Sequence, residues 1–548
     1  MSTVTASVRR SRGTRTRSFK LPMRTTGLLL VAGIGVLSPT ASAVPAWAQQ
    51  TTTPPSGPGS YYATPPDVVG QPPVDSGGPI KNYVQANQCV QRNLGPNVDP
   101  MGKPWGQQYL QIEAIQKIVR ASTPDGTAGG GIKVAVIDTG VTPHPYFQNR
   151  LVAGGEYVKR TAADDGLEDC DGHGTEVAGI IAANPPKEAN IGFIGVAPDA
   201  TIVSIRQSSQ NYKEETQSST TSSSTSGTPG TSTQIPAGQG GGGQPGGDTS
   251  PGQTGGGRQQ EQAGSAGDLK SLAQAVVHAA NVPGMKVINM SVDNCRPADG
   301  SITTGEAQLQ AAIRYAVDTK DVVVVAAAGN TSTQCTQNDQ PDPNKPKNIV
   351  TPPWFAKDVL SVAAIDETGG VASFSVNGPW VTVAAPGTKI TSLDPAVGSS
   401  GLANLTIEGG SEPSEIQGTS FAAPYVAGVA ALVRAKFPAL GARAVMNRIT
   451  STAQHPAAPG GRDTFVGFGV INPMAALTAS VASEDGVPAA KAVQVPSDLP
   501  PLNAKDWTPM IVALAGAGGG LVALLITMFV VHTVRRNRPD PATPRKPA

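Results

Sequence analysis

Three short segments, far apart along the chain, hold the residue types that nucleophilic hydrolysis needs. The first, Val134-Ala-Val-Ile-Asp138-Thr-Gly140, ends a β-branched apolar run on a carboxylate that is followed by a turn. In open α/β sheets the carboxyl ends of strands line the binding site. An aspartate at a strand end is nevertheless common, and Asp138 alone would decide little. The second segment, Asp171-Gly-His173-Gly-Thr-Glu-Val-Ala-Gly179, sets an imidazole between glycines at the mouth of a helical run, 177–183. Of the five histidines, only His173 has small neighbours that leave its ring accessible. The third, Gly418-Thr-Ser420-Phe-Ala-Ala-Pro424, puts a hydroxyl where a turn becomes a helix. The positive helix end favours negative charge developing there, and the Ser420 N–H has no helical acceptor. Pro424 is expected in the first turn, where its missing N–H is tolerated. A fourth segment, residues 322–330, is an apolar strand ending in Gly329-Asn330. The Asn330 amide and the Ser420 N–H together would make a two-donor oxyanion hole.

The elements that must position these groups are legible as alternating patterns. β-Branched runs at 132–137, 201–205, 286–292, 321–326 and 359–364 are separated by helical patterns such as 269–281 and 307–319. Strand then helix, repeated, predicts an α/β fold with a parallel sheet and helices on both faces.

Composition divides the rest of the 548 residues. Gly and Pro together number 113, too many for a chain that is globular throughout. Residues 1–24 carry seven basic residues and no acid, an apolar run at 27–37 follows, and small residues lead to Ala46-Trp-Ala48. That order predicts a secretory signal peptide, 1–48, with cleavage after Ala48 or, alternatively, Ala43. Eleven prolines lie between Pro54 and Pro104, which predicts an extended N-terminal arm, 49–104, rather than a domain. The globular pattern spans 105–475. Within it, 44 of the 60 residues from 208 to 267 are Gly, Ser, Thr or Gln, so this insertion is expected to be disordered, either a passive spacer or a loop for processing or docking. A linker, 476–509, leads to an uncharged apolar segment, 510–531, long enough to cross a bilayer. The basic tail, 532–548, places the C-terminus in the cytoplasm by the positive-inside rule. Residues 49–509 hold 29 basic and 39 acidic residues, which argues against a nucleic-acid partner reached through a broad basic field. Cys89, Cys170, Cys295 and Cys335 all fall in that external body and predict two disulfides, with three connectivities open.

Asp-Thr-Gly140, His173-Gly-Thr-x-Val-Ala-Gly and Gly-Thr-Ser420-x-Ala-x-Pro, in the order Asp, His, Ser, resemble the subtilisin-like serine proteases. An esterase of the Gly-x-Ser-x-Gly type and a His-Glu-x-x-His metalloprotease lack their motifs here. The resemblance implies that Ser420 is the nucleophile, His173 the general base, Asp138 its orienting partner and Asn330 the oxyanion donor, with no cofactor and no metal placed. It also implies that the segment ending at Ser291 binds the substrate backbone. Where the family continues with a Leu-Gly-Gly type sequence, this chain has Val292-Asp293-Asn294-Cys295, a departure that bears on the shape of the substrate pocket. The whole layout resembles the mycosins, membrane-anchored subtilases of type VII secretion systems. That likeness implies the pairings Cys89–Cys170 and Cys295–Cys335, an arm that wraps the catalytic domain, a protein or peptide substrate, and a place in the type VII secretion membrane complex that allows a homo-oligomer within it. The expected location is the cell membrane, with the catalytic domain on the periplasm-side face. The alternative function is mainly structural stabilisation of that complex. Gly516 and Gly520 in the apolar segment offer a surface for close helix packing, or only the usual glycine content of such helices.

Overall fold

The computed structural model describes residues 61–67, 70–160, 165–215, 265–407, 412–484 and 508–537. The expected signal peptide, most of the low-complexity insertion, most of the linker and most of the basic tail lie outside them.

Seven parallel strands form the centre: β1 (Lys133–Asp138), β2 (Leu151–Glu156), β3 (Thr201–Arg206), β4 (Met285–Met290), β5 (Val323–Ala327), β6 (Leu360–Ile365) and β7 (Val383–Pro386). Their spatial order is β7-β6-β5-β4-β1-β3-β2. Strands buried on both faces must be apolar at nearly every position, and β1, β5 and β6 are. The main helices around them are α1 (His173–Ala182), α2 (Leu269–Asn281), α3 (Thr304–Arg314) and α4 (Thr419–Lys436). α2 begins on a capping box formed by Asp268 and Ser271, and α3 on one formed by Thr303 and Glu306. α3 continues as a π-helical turn over Tyr315–Thr319, still within the expected run. The strand order reverses between β1 and β4, so the crevice beyond their carboxyl ends is the place where such a sheet binds ligands. Asp138 ends β1, Ser291 follows β4 and Asn330 follows β5.

The two disulfides are Cys89–Cys170 and Cys295–Cys335. The described part of the Pro-rich arm, from residue 61 on, lies on the body. Tyr61 N–H donates to the Gly300 carbonyl at 3.0 Å, and the Trp354 indole donates to the Tyr62 carbonyl at 2.8 Å. Asp75 accepts from the Tyr157 hydroxyl and pairs with His278 Nδ1, each at 2.7 Å. Tyr83–Gln85 then pairs with Ser209–Glu214, Cys89 is tied to Cys170, and Gln91–Asn93 pairs with Leu405–Ile407. The ends of the low-complexity tract are correspondingly ordered. Ser209–Glu214 and Ser265–Ala266 form antiparallel strands, and Tyr212 is buried with the Arg206 guanidinium 4.5 Å from its ring centre. Composition reads residues 208–215 as unstructured because it cannot register that the arm supplies them a strand edge. The linker likewise starts later than 476: α-helix Pro473–Thr478 packs on the body, and Glu484 forms an ion pair with Arg448. Residues Thr508–Arg536 form one helix long and apolar enough to cross a membrane, enclosing the expected 510–531.

The arm's deepest anchor is Arg92. Its Nε donates to Glu176 Oε1 at 2.6 Å, its Nη2 donates to the Asp171 carbonyl, and its Nη1 donates to Thr406. Glu176 is fully buried on α1, and burial, against the pull of Arg92, pushes its carboxyl up to about 7. Replacing Arg92 with Ala therefore leaves Glu176 without its buried cation, and at pH 8 the expected loss of stability is about 3–5 kcal/mol. Adding Glu176→Gln to that variant should recover part of the loss. Denaturant unfolding of the two variants measures this, and an equal loss in both would show that the pair is not the cause.

Candidate active site

β1 delivers Asp138 to the switch point with no solvent exposure. Its Oδ1 accepts from the Thr139 N–H and meets His173 Nδ1, each at 2.7 Å. His173 is the first residue of α1, so the helix start, not a preceding loop, carries the imidazole. That approach needs glycine at 174, where a Cβ would lie 2.0 Å from the Gly140 carbonyl oxygen. The pair is nearly dry. Burial disfavours the charged imidazole, but the charge and hydrogen bond of Asp138 outweigh it, and the His173 pKa is raised.

Asp169 fixes the entry to α1, a role that motif reading passed over. One carboxylate oxygen accepts from Thr139 Oγ1 at 2.8 Å and Gly172 N–H at 2.7 Å. The other accepts from the N–H and hydroxyl of Thr175, at 2.8 and 2.7 Å. Asp171 accepts from Ser209 Oγ, the Gln210 N–H and Asn211 Nδ2, which fastens the histidine loop to the first insertion strand; burial pushes its carboxyl up to about 6. The available signal for both was the Asp169-Cys170-Asp171 cluster just before a helix start.

Ser420 is the second residue of α4 and is almost fully buried. α4 packs along α1, and the ring of the neighbouring Phe421 lies 5.0 Å from the His173 ring. Asn330 sits on the same rim. Its Oδ1 accepts from the Thr419 N–H at 2.9 Å and from Thr419 Oγ1 at 3.1 Å. The N–H can only donate, which fixes the amide with Nδ2 as its donating end. All four expected residues are thus brought to the carboxyl edge of the sheet.

Pro424 departs from its expected place. It is the sixth residue of α4, not in the first turn, so it withholds the N–H that would reach the Ser420 carbonyl. The Ser291 hydroxyl takes over, donating to that carbonyl at 2.7 Å and accepting from Asn289 Nδ2 at 2.9 Å. The Ser291 side chain therefore holds the backbone of Ser420, and only its main chain is left for the expected substrate contact.

The match to known proteins agrees with this geometry. Residues 129–469 match the model of the subtilase family. Mycosin-1 of Mycobacterium tuberculosis is 40% identical over 438 residues, covering 77% of this chain and 84% of that protein. The chain belongs to the mycosins, within the subtilase family. It is thereby a serine endopeptidase. Among solved structures, the MycP3 protease of the type VII (ESX-3) secretion system superposes with a TM-score of 0.61 at 38% identity, covering 76% of this chain and all of that one. A chain of an intact ESX-5 inner membrane complex gives a TM-score of 0.60 at 35% identity, covering 86% of this mycosin and 98% of that chain.

Two outcomes follow from the site. In a histidine NMR titration, the His173 pKa should lie above the ordinary value of about 6.5. In Asp138→Asn it should fall, because the burial that opposes protonation remains while the largest of the charges that offset it is gone. Ser291→Ala should leave the buried Ser420 carbonyl without its donor and cost about 1–3 kcal/mol in denaturant unfolding.

Proposed function

We propose that this mycosin hydrolyses peptide bonds through Asp138, His173 and Ser420. Ser420 Oγ attacks the scissile carbonyl while His173 Nε2 takes its proton. The oxyanion is received by Asn330 Nδ2 and the Ser420 N–H. His173 then protonates the leaving amine, and water, activated by the same imidazole, releases the acyl group from Ser420. The observation that carries this reading is the buried 2.7 Å contact between His173 and Asp138, with the Ser420 helix packed against the His173 helix. The substrate backbone pairs with the main chain that continues from β4 through Ser291.

The membrane placement belongs to the same proposal. The Thr508–Arg536 helix anchors the protein, its basic end faces the cytoplasm, and the catalytic body stands on the periplasm side. The likeness to the chain of the ESX-5 inner membrane complex supports work within a type VII secretion complex, where self-association would follow the symmetry of that assembly.

A second reading, structural support of the complex, is favoured by the arm. Its strands and its disulfide make the body one closed shell that does not depend on substrate. Ser420→Ala separates the two. Loss of fluorophosphonate labelling in this variant is expected, and labelling equal to that of the wild type would overturn the hydrolytic reading. Secretion that survives Ser420→Ala but not deletion of the gene would assign the supporting role as well.

A further inference from the structure

We propose that Asp293 makes this protease selective for substrates with a lysine or arginine at the residue that supplies the scissile carbonyl. The inference rests on the hydrolytic reading above and adds the side-chain chemistry of the substrate.

Asp293 stands three residues beyond β4, in the stretch where the subtilisin-like pattern would place small glycines. Its carboxylate lies over Gly329-Asn330. A Cβ on Gly329 would come 2.8 Å from Asp293 Oδ2, so glycine at 329, with φ +103°, is what lets the carboxylate approach. The Asn330 N–H donates to the same carboxylate. The negative group is thus set directly against the residue whose amide is to hold the oxyanion. The side chain of the residue being cleaved branches from the atom next to that carbonyl and must run along this wall.

The surroundings leave the charge without a resident counterion. No lysine or arginine of the described residues lies within salt-bridge distance of Asp293. From α1 the titratable group whose charge reaches it is His173. From the end of β5 it meets Gly329 and the Asn330 N–H, and Val350 of strand Asn348–Thr351 stands against the same Gly329 position. Burial pushes the carboxyl up to about 7. The residue as a whole is nevertheless partly exposed. It is also rigid. The strand that follows, Asn294–Pro297, is paired with Asn348–Thr351 and clamped by the Cys295–Cys335 disulfide. A fixed, half-buried carboxylate with one neutral donor is complementary to an ammonium or guanidinium, and it penalises a purely apolar side chain that would seal it off from water.

The test uses the full-length protein in detergent and pairs of peptidyl diphenyl phosphonates that differ only in a lysine-like or leucine-like terminal residue. The rates of Ser420 modification, together with kcat/KM for matched lysine and leucine peptides, give a selectivity ratio. At pH 8 the wild type should favour the basic member by about ten- to a hundredfold. The ratio should shrink at pH 6, where Asp293 is protonated. His173 titrates for both members of a pair, so its effect on the reactivity of Ser420 cancels in the ratio, and what remains is the charge state of Asp293 in the field of His173. Asp293→Asn, close in shape, and Asp293→Gly should both abolish the preference. A wild-type ratio near one, or a preference kept in both variants, would overturn the proposal. Labelling of Ser420 by a fluorophosphonate without a basic preference overturns this inference alone, whereas no labelling by any probe overturns the hydrolytic reading and this one with it.

Discussion

The contact between the Asp138 carboxylate and the His173 imidazole is the constraint around which the rest is built. In a dry interior the interaction between such groups is strong, but nothing there compensates a displaced partner, so the backbone must hold both ends in place. Asp138 is fixed as the last residue of a parallel strand buried at every position after Lys133. His173 is fixed as the first residue of a helix whose entry is tied by four hydrogen bonds to Asp169. The strand order supplies the location, because only at the reversal between β1 and β4 do the strand ends leave a crevice. α4 closes the arrangement by laying its first turn against α1.

The arm takes part in that arrangement. Arg92 reaches Glu176 less than one turn along α1 from His173, and it also holds the Asp171 carbonyl beside the histidine loop. The Cys89–Cys170 disulfide enters the same loop three residues before His173. The N-terminal extension is therefore part of the wall around the imidazole, and displacing it would expose a carboxylate whose charge is felt by His173. Contacts that stiffen the body around the arm are also the ones that hold the imidazole in place.

Much of this was legible from residues alone. Asp138, His173, Asn330 and Ser420 each end or begin an element, and a strand end or helix start is marked by local signals: a β-branched run, a glycine, a turn. The boundaries of α2 match the helical pattern at 269–281, and the parallel sheet follows from strands with continuous apolar runs. The missing parts depend on partners distant in sequence. Strand Ser209–Glu214 exists because Tyr83–Gln85 lies beside it, which its polar composition cannot disclose. Asp169 looks like one acid among several until Thr139, Gly172 and Thr175 converge on it. Pro424 reads as tolerable near a helix start, and only the position of Gly418 as the cap shows that it sits too deep for that explanation.

The way that proline is accommodated joins Ser420 to the end of β4. A helix interrupted at the N–H of residue 424 has a carbonyl to spare at residue 420, and the chain fills the gap from the end of β4 with Ser291. Anchoring by a side chain frees nothing in the helix, yet it makes the position of Ser420 depend on β4. Ser420 and the end of β4 are then registered against one another by a single hydrogen bond. The residues that follow can still vary without disturbing that registration. The Ser291 side chain points to Ser420 and the Asp293 side chain to Gly329, each fixed by its own acceptor or donor, so a change at 293 need not move 291. One strand end thereby carries two separate contacts, the Ser291 hydroxyl on the Ser420 carbonyl and the Asp293 carboxylate against Gly329-Asn330.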